Sequence, residues 1–201
     1  MVRYRSNQGF RLGIVGYLII TNLILYIAVS IQPETFISVF GLQTISFWER
    51  PWTIVTNMFI HSPFPDIGHI LANMITLYFF GSVLVRILGE RYFLIIYLCG
   101  GLVGNLLYMV MANPYSIAIG ASGAVFAVAG ALTLLRPDMR VMIFPLPVPL
   151  PLWVAVIGGF LLFTVFSIAH ILPIAWQAHL GGLVFGMAAA FFFRKKQRYF
   201  F

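Results

Sequence analysis

The chain has 201 residues, of which 61% are hydrophobic and 8% are charged, with a formal net charge of +7 and a mean hydropathy of +0.98. A water-soluble domain of this length does not need so many apolar residues, and a transmembrane β-barrel would show short alternating strands in place of long apolar runs. The composition therefore predicts an all-α polytopic membrane protein.

Apolar runs separated by polar or proline-containing breaks predict six transmembrane helices. In chain order these are residues 12–31, 68–86, 92–112, 118–135, 150–171 and 177–193. Each run can cross most or all of roughly 30 Å of hydrocarbon at about 1.5 Å per residue. The first run follows three arginines but lacks a small-residue cleavage site, so we expect a helix and not a signal peptide. Residues 12–193 then form one membrane domain between a cytoplasmic segment, 1–11, and a basic cytoplasmic tail, 194–201.

The basic residues predict that both chain ends face the cytoplasm. With this N-in, C-in orientation, Arg50 is the only one of the 12 Lys and Arg residues placed outside. An excess of positive charge on the cytoplasmic side is the usual signature of topology in a cell membrane. The net positive charge is then explained by contact with an anionic lipid bilayer, and nucleic acid is not needed as a partner.

Two connections differ from ordinary short loops. The outer segment 32–66 is long and rich in aromatic residues, which predicts that it folds onto the outer membrane interface. Residues 145–151 read PLPVPLP and predict a stiff cytoplasmic lead into the fifth span.

Polar residues recur near the outer ends of the even-numbered spans, which all run in the same direction. His69 and Asn73 are four residues apart and share one face of the second span. Ser122 and His179 lie about 20 and 21 Å of helix from the cytoplasmic ends of the fourth and sixth spans. A hydroxyl and an imidazole at one depth predict a nucleophile and its general base.

Small residues surround both predicted catalytic positions. Gly120, Ala121 and Gly123 leave room for a substrate backbone beside Ser122. Gly182 and Gly186 form a small-xxx-small face on the sixth span, which predicts close packing against the fourth span.

Other interpretations of these residues are open. A lone membrane serine usually bonds its own backbone, and a lone histidine can relay protons. His61, His69 and His179 could converge on zinc, but the chain has no HExxH motif and no acidic residue inside a span. We therefore expect no metal and no cofactor. The same lack of acids predicts a Ser-His dyad and not a triad. His61 and His170 are interpreted as interfacial or structural.

The motifs His69-x-x-x-Asn73, Gly120-x-Ser122-Gly123 and His179-x-x-Gly182-x-x-x-Gly186 occur in this order on spans two, four and six. In this the chain resembles the rhomboid intramembrane serine proteases in their minimal six-helix form. The resemblance implies that Ser122 is the nucleophile and His179 the base.

The resemblance also implies roles for neighbouring residues. His69, Asn73 and Gly120, with the Ser122 backbone N–H, would stabilise the oxyanion. Phe126 stands where many relatives have a tyrosine that stacks on the base. The outer segment 32–66 resembles the family's first loop, and the fifth span with its following loop resembles the substrate gate and cap.

We expect an intramembrane serine endopeptidase that cleaves transmembrane protein substrates near the outer membrane face. One alternative is a catalytically inactive rhomboid-like protein that binds membrane helices. A small transporter is a weaker alternative, because it would need charged residues along the full membrane thickness. For the protease, the bulky side chains of the fifth span predict a movable gate; they are Trp153, Phe160, Phe163 and Phe166.

Overall fold

The computed structural model describes residues 13–142 and 148–197, and in the last four of these only the backbone. The predicted segment 1–11, part of the proline-rich lead and residues 198–201 of the basic tail lie outside the described residues. Within the described ranges the fold is helical. The helices are α1 (Ile14–Ile31), α2 (Pro33–Phe40), α3 (Thr53–Thr56), α4 (Ile67–Thr76), α5 (Ser82–Leu88), α6 (Glu90–Met111), α7 (Ser122–Leu135), α8 (Leu152–Ile168) and α9 (Trp176–Gln197).

Four helical stretches are long and apolar enough to cross a membrane. They are Ile14–Ile31, Ile67–Leu88, Glu90–Met111 and Trp176–Phe193. The second stretch joins α4 and α5 through a π-helical turn, Leu77–Gly81. The two remaining predicted spans correspond to α7 and α8, which are apolar but shorter. The prediction of a helical polytopic membrane protein is confirmed.

Two short antiparallel strand pairs shift the predicted boundaries of spans four and five. Strand β1 (Leu42–Gln43) pairs with β2 (Ile117–Ala118), so the fourth helix begins at Ser122 and not at residue 118. Strand β3 (Arg140–Val141) pairs with β4 (Leu150–Pro151), so the fifth helix begins at Leu152. In both places an apolar sequence continues through a strand, and hydropathy cannot mark where the helix begins. The predicted end at residue 171 was also wrong, because α8 ends at Ile168. The predicted sixth span, 177–193, agrees with the apolar stretch Trp176–Phe193, although α9 itself continues to Gln197.

Helices α6, α7 and α9 pack through glycines at the centre of the bundle. A Cβ added at Gly182 would collide with the carbonyl oxygen of Gly123, and one at Gly186 would collide with that of Ala127. A Cβ at Gly104 of α6 would likewise collide with the carbonyl oxygen of Ala178 in α9. Backbones this close allow many dispersion contacts between helices without bulky side chains. This packing brings the first turns of α7 and α9 together.

The outer segment 32–66 folds as a short α2, strand β1 and helix α3, with two 3₁₀ turns. The side chains of Arg50, Trp52 and Thr56 donate hydrogen bonds to the last three carbonyls of α2, at residues 38–40. Terminal helix carbonyls lack partners within the helix, and a cation there is favoured by the helix dipole. The position of Arg50, the single basic residue predicted outside, is thus explained by a helix cap.

Candidate active site

Ser122 and His179 form a hydrogen-bonded pair. Ser122 is the first residue of α7 and His179 lies in the first turn of α9. The His179 Nε2 and the Ser122 Oγ are 2.7 Å apart, and His179 is 6% exposed. An imidazole at this distance can accept the hydroxyl proton while the serine oxygen attacks an electrophile.

The His179 ring lies between aromatic rings. Phe126, one turn beyond Ser122, stacks on it with ring centroids 4.5 Å apart and an interplanar angle of 24°. Phe163 of α8 contacts it edge-on, at 6.5 Å. The His179 Nδ1 is buried and has no hydrogen-bond partner among the described residues. The ring orientation therefore rests on packing and on the contact with Ser122.

Gly120 shapes the turn that leads into α7. Its φ is +117°, a conformation that residues with a Cβ rarely adopt. Its N–H donates to the carbonyl oxygen of Asn57 at 2.8 Å. The oxyanion role expected for Gly120 stays a prediction, and it would require this amide to leave the Asn57 oxygen. Gly120 also makes room for the ring of His69, since a Cβ here would lie 2.7 Å from the His69 Nε2.

His69 and Asn73 both lie on α4, but the structure places them differently. The His69 ring approaches Gly120, two residues before Ser122. The Asn73 amide is buried and donates to the His69 carbonyl oxygen at 2.9 Å, which uses one of its two N–H groups. His69 therefore lies beside the turn of residues 120–121 that leads to Ser122, called the serine turn below. The Asn73 side chain bonds to the backbone of its own helix.

His61 lies closer to the site than its sequence position indicated. It is fully buried, its Nε2 accepts the N–H of Ala121, and its ring lies edge-on to His69 at 5.0 Å. Burial, and next the proximity of His69, lower the pKa of His61 from 6.5 to about 3. A neutral His61 thus anchors the start of α7. His170, by contrast, is exposed in the loop after α8.

An asparagine pair that the motif analysis missed lines a small cavity beside Ser122 and Gly120. The Asn57 and Asn105 amides exchange two hydrogen bonds, of 3.2 and 2.7 Å, and Asn105 also donates to the Ile54 carbonyl oxygen at 2.7 Å. The sequence did contain a signal for this pair, because Asn105 lies inside the apolar run of α6, where a polar side chain needs a hydrogen-bond partner.

The structure is that of a helical membrane protein with a part-buried Ser-His pair in the first turns of two packed helices. Comparison with known proteins identifies the family. Residues 49–196 match the rhomboid domain. The chain belongs to the rhomboid family.

Three relatives illustrate this similarity. The chain is 30% identical over 154 residues to Rhomboid protein 1, mitochondrial, of Saccharomyces cerevisiae, covering 73% of this chain and 44% of the relative. It is 34% identical over 153 residues to RHOMBOID-like protein 12, mitochondrial, of Arabidopsis thaliana, covering 66% and 44%. It is 32% identical over 127 residues to the human Presenilin-associated rhomboid-like protein, mitochondrial, covering 59% and 32%. The chain thus spans less than half the length of these relatives.

Proposed function

We propose that this protein is an intramembrane serine endopeptidase that cleaves transmembrane protein substrates near the outer membrane face. The observation that carries the proposal is the 2.7 Å contact between the Ser122 Oγ and the His179 Nε2. Outside catalysis, a serine in a membrane helix usually bonds its own helix backbone. Membership of the rhomboid family supports the same activity.

The proposed topology has six spans, with both ends on the cytoplasmic side of the cell membrane. Four stretches meet the length expected of a span, and α7 and α8 supply the other two. The sixth span enters the membrane at the outer face, so Ser122 and His179 lie below that face. The three relatives described above are mitochondrial by name, so fractionation of cells that express the protein is the test of location.

In the proposed reaction the Ser122 oxygen bonds to the carbonyl carbon of the scissile peptide while its proton passes to the His179 Nε2. In this proposal the negative charge on the former carbonyl oxygen is stabilised by N–H groups of the Ser122 backbone, of His69 and of Asn73. His179 then protonates the leaving amine as the peptide C–N bond breaks. Water, deprotonated by the same imidazole, hydrolyses the ester and restores the serine hydroxyl.

The test is cleavage of a transmembrane substrate by purified protein, with labelling by a fluorophosphonate probe as a second measurement. Ser122→Ala should lower turnover by at least about 10⁴-fold, since the nucleophile is removed, and should abolish labelling. Thr133→Ala is the matched control, because that hydroxyl lies on the same helix and donates to the Gly130 carbonyl oxygen. Cleavage that survives Ser122→Ala would contradict the proposal. A wild-type protein that binds transmembrane helices without cleaving them would favour the inactive alternative.

A further inference from the structure

Ser62 contacts the far side of the His69 ring, away from Ser122. The Ser62 Oγ lies 3.0 Å from the His69 Nδ1, and the Ser62 backbone N–H donates to the same nitrogen at 3.4 Å. A backbone N–H can only donate, so the Nδ1 must be the accepting nitrogen. In a neutral imidazole with an accepting Nδ1, the proton is on Nε2.

The other nitrogen of this ring faces the serine turn. The His69 Nε2 is so close to Gly120 that only a glycine fits there. The N–H groups of Gly120 and Ala121 are already donated, to the Asn57 carbonyl oxygen and to the His61 Nε2. Two backbone donors of the turn are therefore occupied. An anionic oxygen beside Ser122 depends on the remaining donors, and the His69 Nε2 lies at this turn, against Gly120.

We propose that Ser62 is a positioning residue that fixes His69 in its Nε2–H form and so presents a hydrogen-bond donor to the oxyanion. The inference deepens the proposed protease function and rests on it. The opposite tautomer would direct a nitrogen lone pair at the developing negative charge and remove the stabilisation. Partners on the far nitrogen of a histidine commonly set the tautomer and orientation of the ring in this way.

The same loop provides a matched control. The Phe64 N–H donates to the Ser30 Oγ at 3.0 Å, which ties the loop to the end of α1. Ser30→Ala removes a hydroxyl that holds this loop without touching His69. Ser62→Ala removes the hydroxyl on His69 and leaves the weaker 3.4 Å backbone contact. Ser62→Thr retains a hydroxyl at the same position.

The tautomer can be measured without any activity. The chain has four histidines, so ¹⁵N-histidine labelling gives few signals, and His69→Gln assigns the one of interest. Nitrogen NMR of the full chain in bicelles at neutral pH should show His69 protonated on Nε2 in the wild type, in Ser62→Thr and in Ser30→Ala. Ser62→Ala should shift part of the population to the Nδ1–H form. A wild-type His69 protonated on Nδ1, or a tautomer unchanged in Ser62→Ala, would overturn the inference.

Kinetics give the second measurement. Complete loss of one oxyanion donor costs about 10²–10³ in kcat, so a partial tautomer shift in Ser62→Ala should lower kcat by about tenfold. KM should change less than about twofold, since substrate binding precedes the negative charge. Ser62→Thr should restore most of the rate, and Ser30→Ala should retain it.

These outcomes separate the inference from the function on which it rests. If Ser62→Ala cleaves at the wild-type rate, or if Ser30→Ala loses as much, the positioning role is wrong while Ser122-dependent cleavage still stands. If the wild type shows no Ser122-dependent cleavage, the protease proposal fails, and the NMR result still decides the His69 tautomer.

Discussion

Helices α7 and α8 are both short and apolar, yet they pack by opposite means. Ten of the 14 residues of α7 are buried, from Gly123 to Thr133, whereas α8 buries three of its 17, Leu152, Val156 and Phe160. Where α7 meets α9, a methyl group on either of two α9 glycines would strike the α7 backbone. A methyl group at Gly158 or Gly159 of α8 would meet nothing within 4 Å.

The difference bears on which parts of the site can move. Backbone contact between α7 and α9 tolerates little displacement, and it holds Ser122 against His179. Two ring contacts connect α8 to the site: Phe160 contacts Phe126 at 6.2 Å, and Phe163 contacts His179. A helix held by side-chain tips can separate without breaking backbone packing. The proposed gate therefore belongs on α8, and the proposed dyad on α7 and α9.

The largest expected effect comes from a methyl group added where α9 meets α7, and the same addition on α8 is its control. Gly186→Ala places a Cβ against the Ala127 carbonyl oxygen, which is backbone and cannot move aside. Overpacking of this kind costs about 1–3 kcal/mol, and a displacement of about 1 Å at the dyad lowers turnover by about 100-fold. Unfolding in detergent and cleavage rate measure the two effects.

Gly158→Ala is the matched variant on α8. Alanine is favoured over glycine in a helix interior by about 0.5–1 kcal/mol, and here it meets no neighbour. It should therefore leave the stability unchanged or raise it slightly, with cleavage retained. Equal losses in Gly186→Ala and Gly158→Ala would show that α8 is packed as tightly as α9.

Acid should weaken the attachment of α7 to the outer segment. The pKa of His61 is lowered in the folded protein from 6.5 to about 3, so below pH 6.5 the unfolded chain binds a proton that the folded chain excludes. Stability is thus full above about pH 6.5 and falls as the pH drops towards 3. Titration of His61 alone changes the free energy of unfolding by at most about 1.4 kcal/mol per pH unit.

The measurement is the free energy of unfolding at several pH values between 7 and 4. His61→Gln retains an acceptor for the Ala121 N–H but cannot titrate, so its pH slope should be smaller than that of the wild type. An unchanged slope in His61→Gln would show that His61 is not the group that titrates.

Periodicity and polar placement predicted much of this architecture, because both act along a single helix. Topology alone put Ser122 and His179 at one depth, and the structure brings their side chains into contact. What hydropathy could not predict depends on partners distant in the chain. The strand pairing that starts α7 at Ser122, and the loop acceptors Asn57 and His61, come from the outer segment. No local pattern in that segment indicates which backbone groups it will meet.

The smallest expected effect tests α8 as the entrance for substrate. Phe160 is buried against Phe126, whereas Trp153 is 51% exposed on the same helix. An edge-on aromatic pair contributes about 0.5–1.5 kcal/mol, so Phe160→Ala should favour the open position of α8 by about 2- to 10-fold. Cleavage of a transmembrane substrate should rise by a similar factor, and cleavage of a soluble peptide, which can arrive from the water, should rise less. Trp153→Ala removes an aromatic ring of at least the same size from the exposed face and should change neither rate. If Phe160→Ala leaves transmembrane cleavage unchanged, or if both variants accelerate both substrates equally, substrate does not enter past α8.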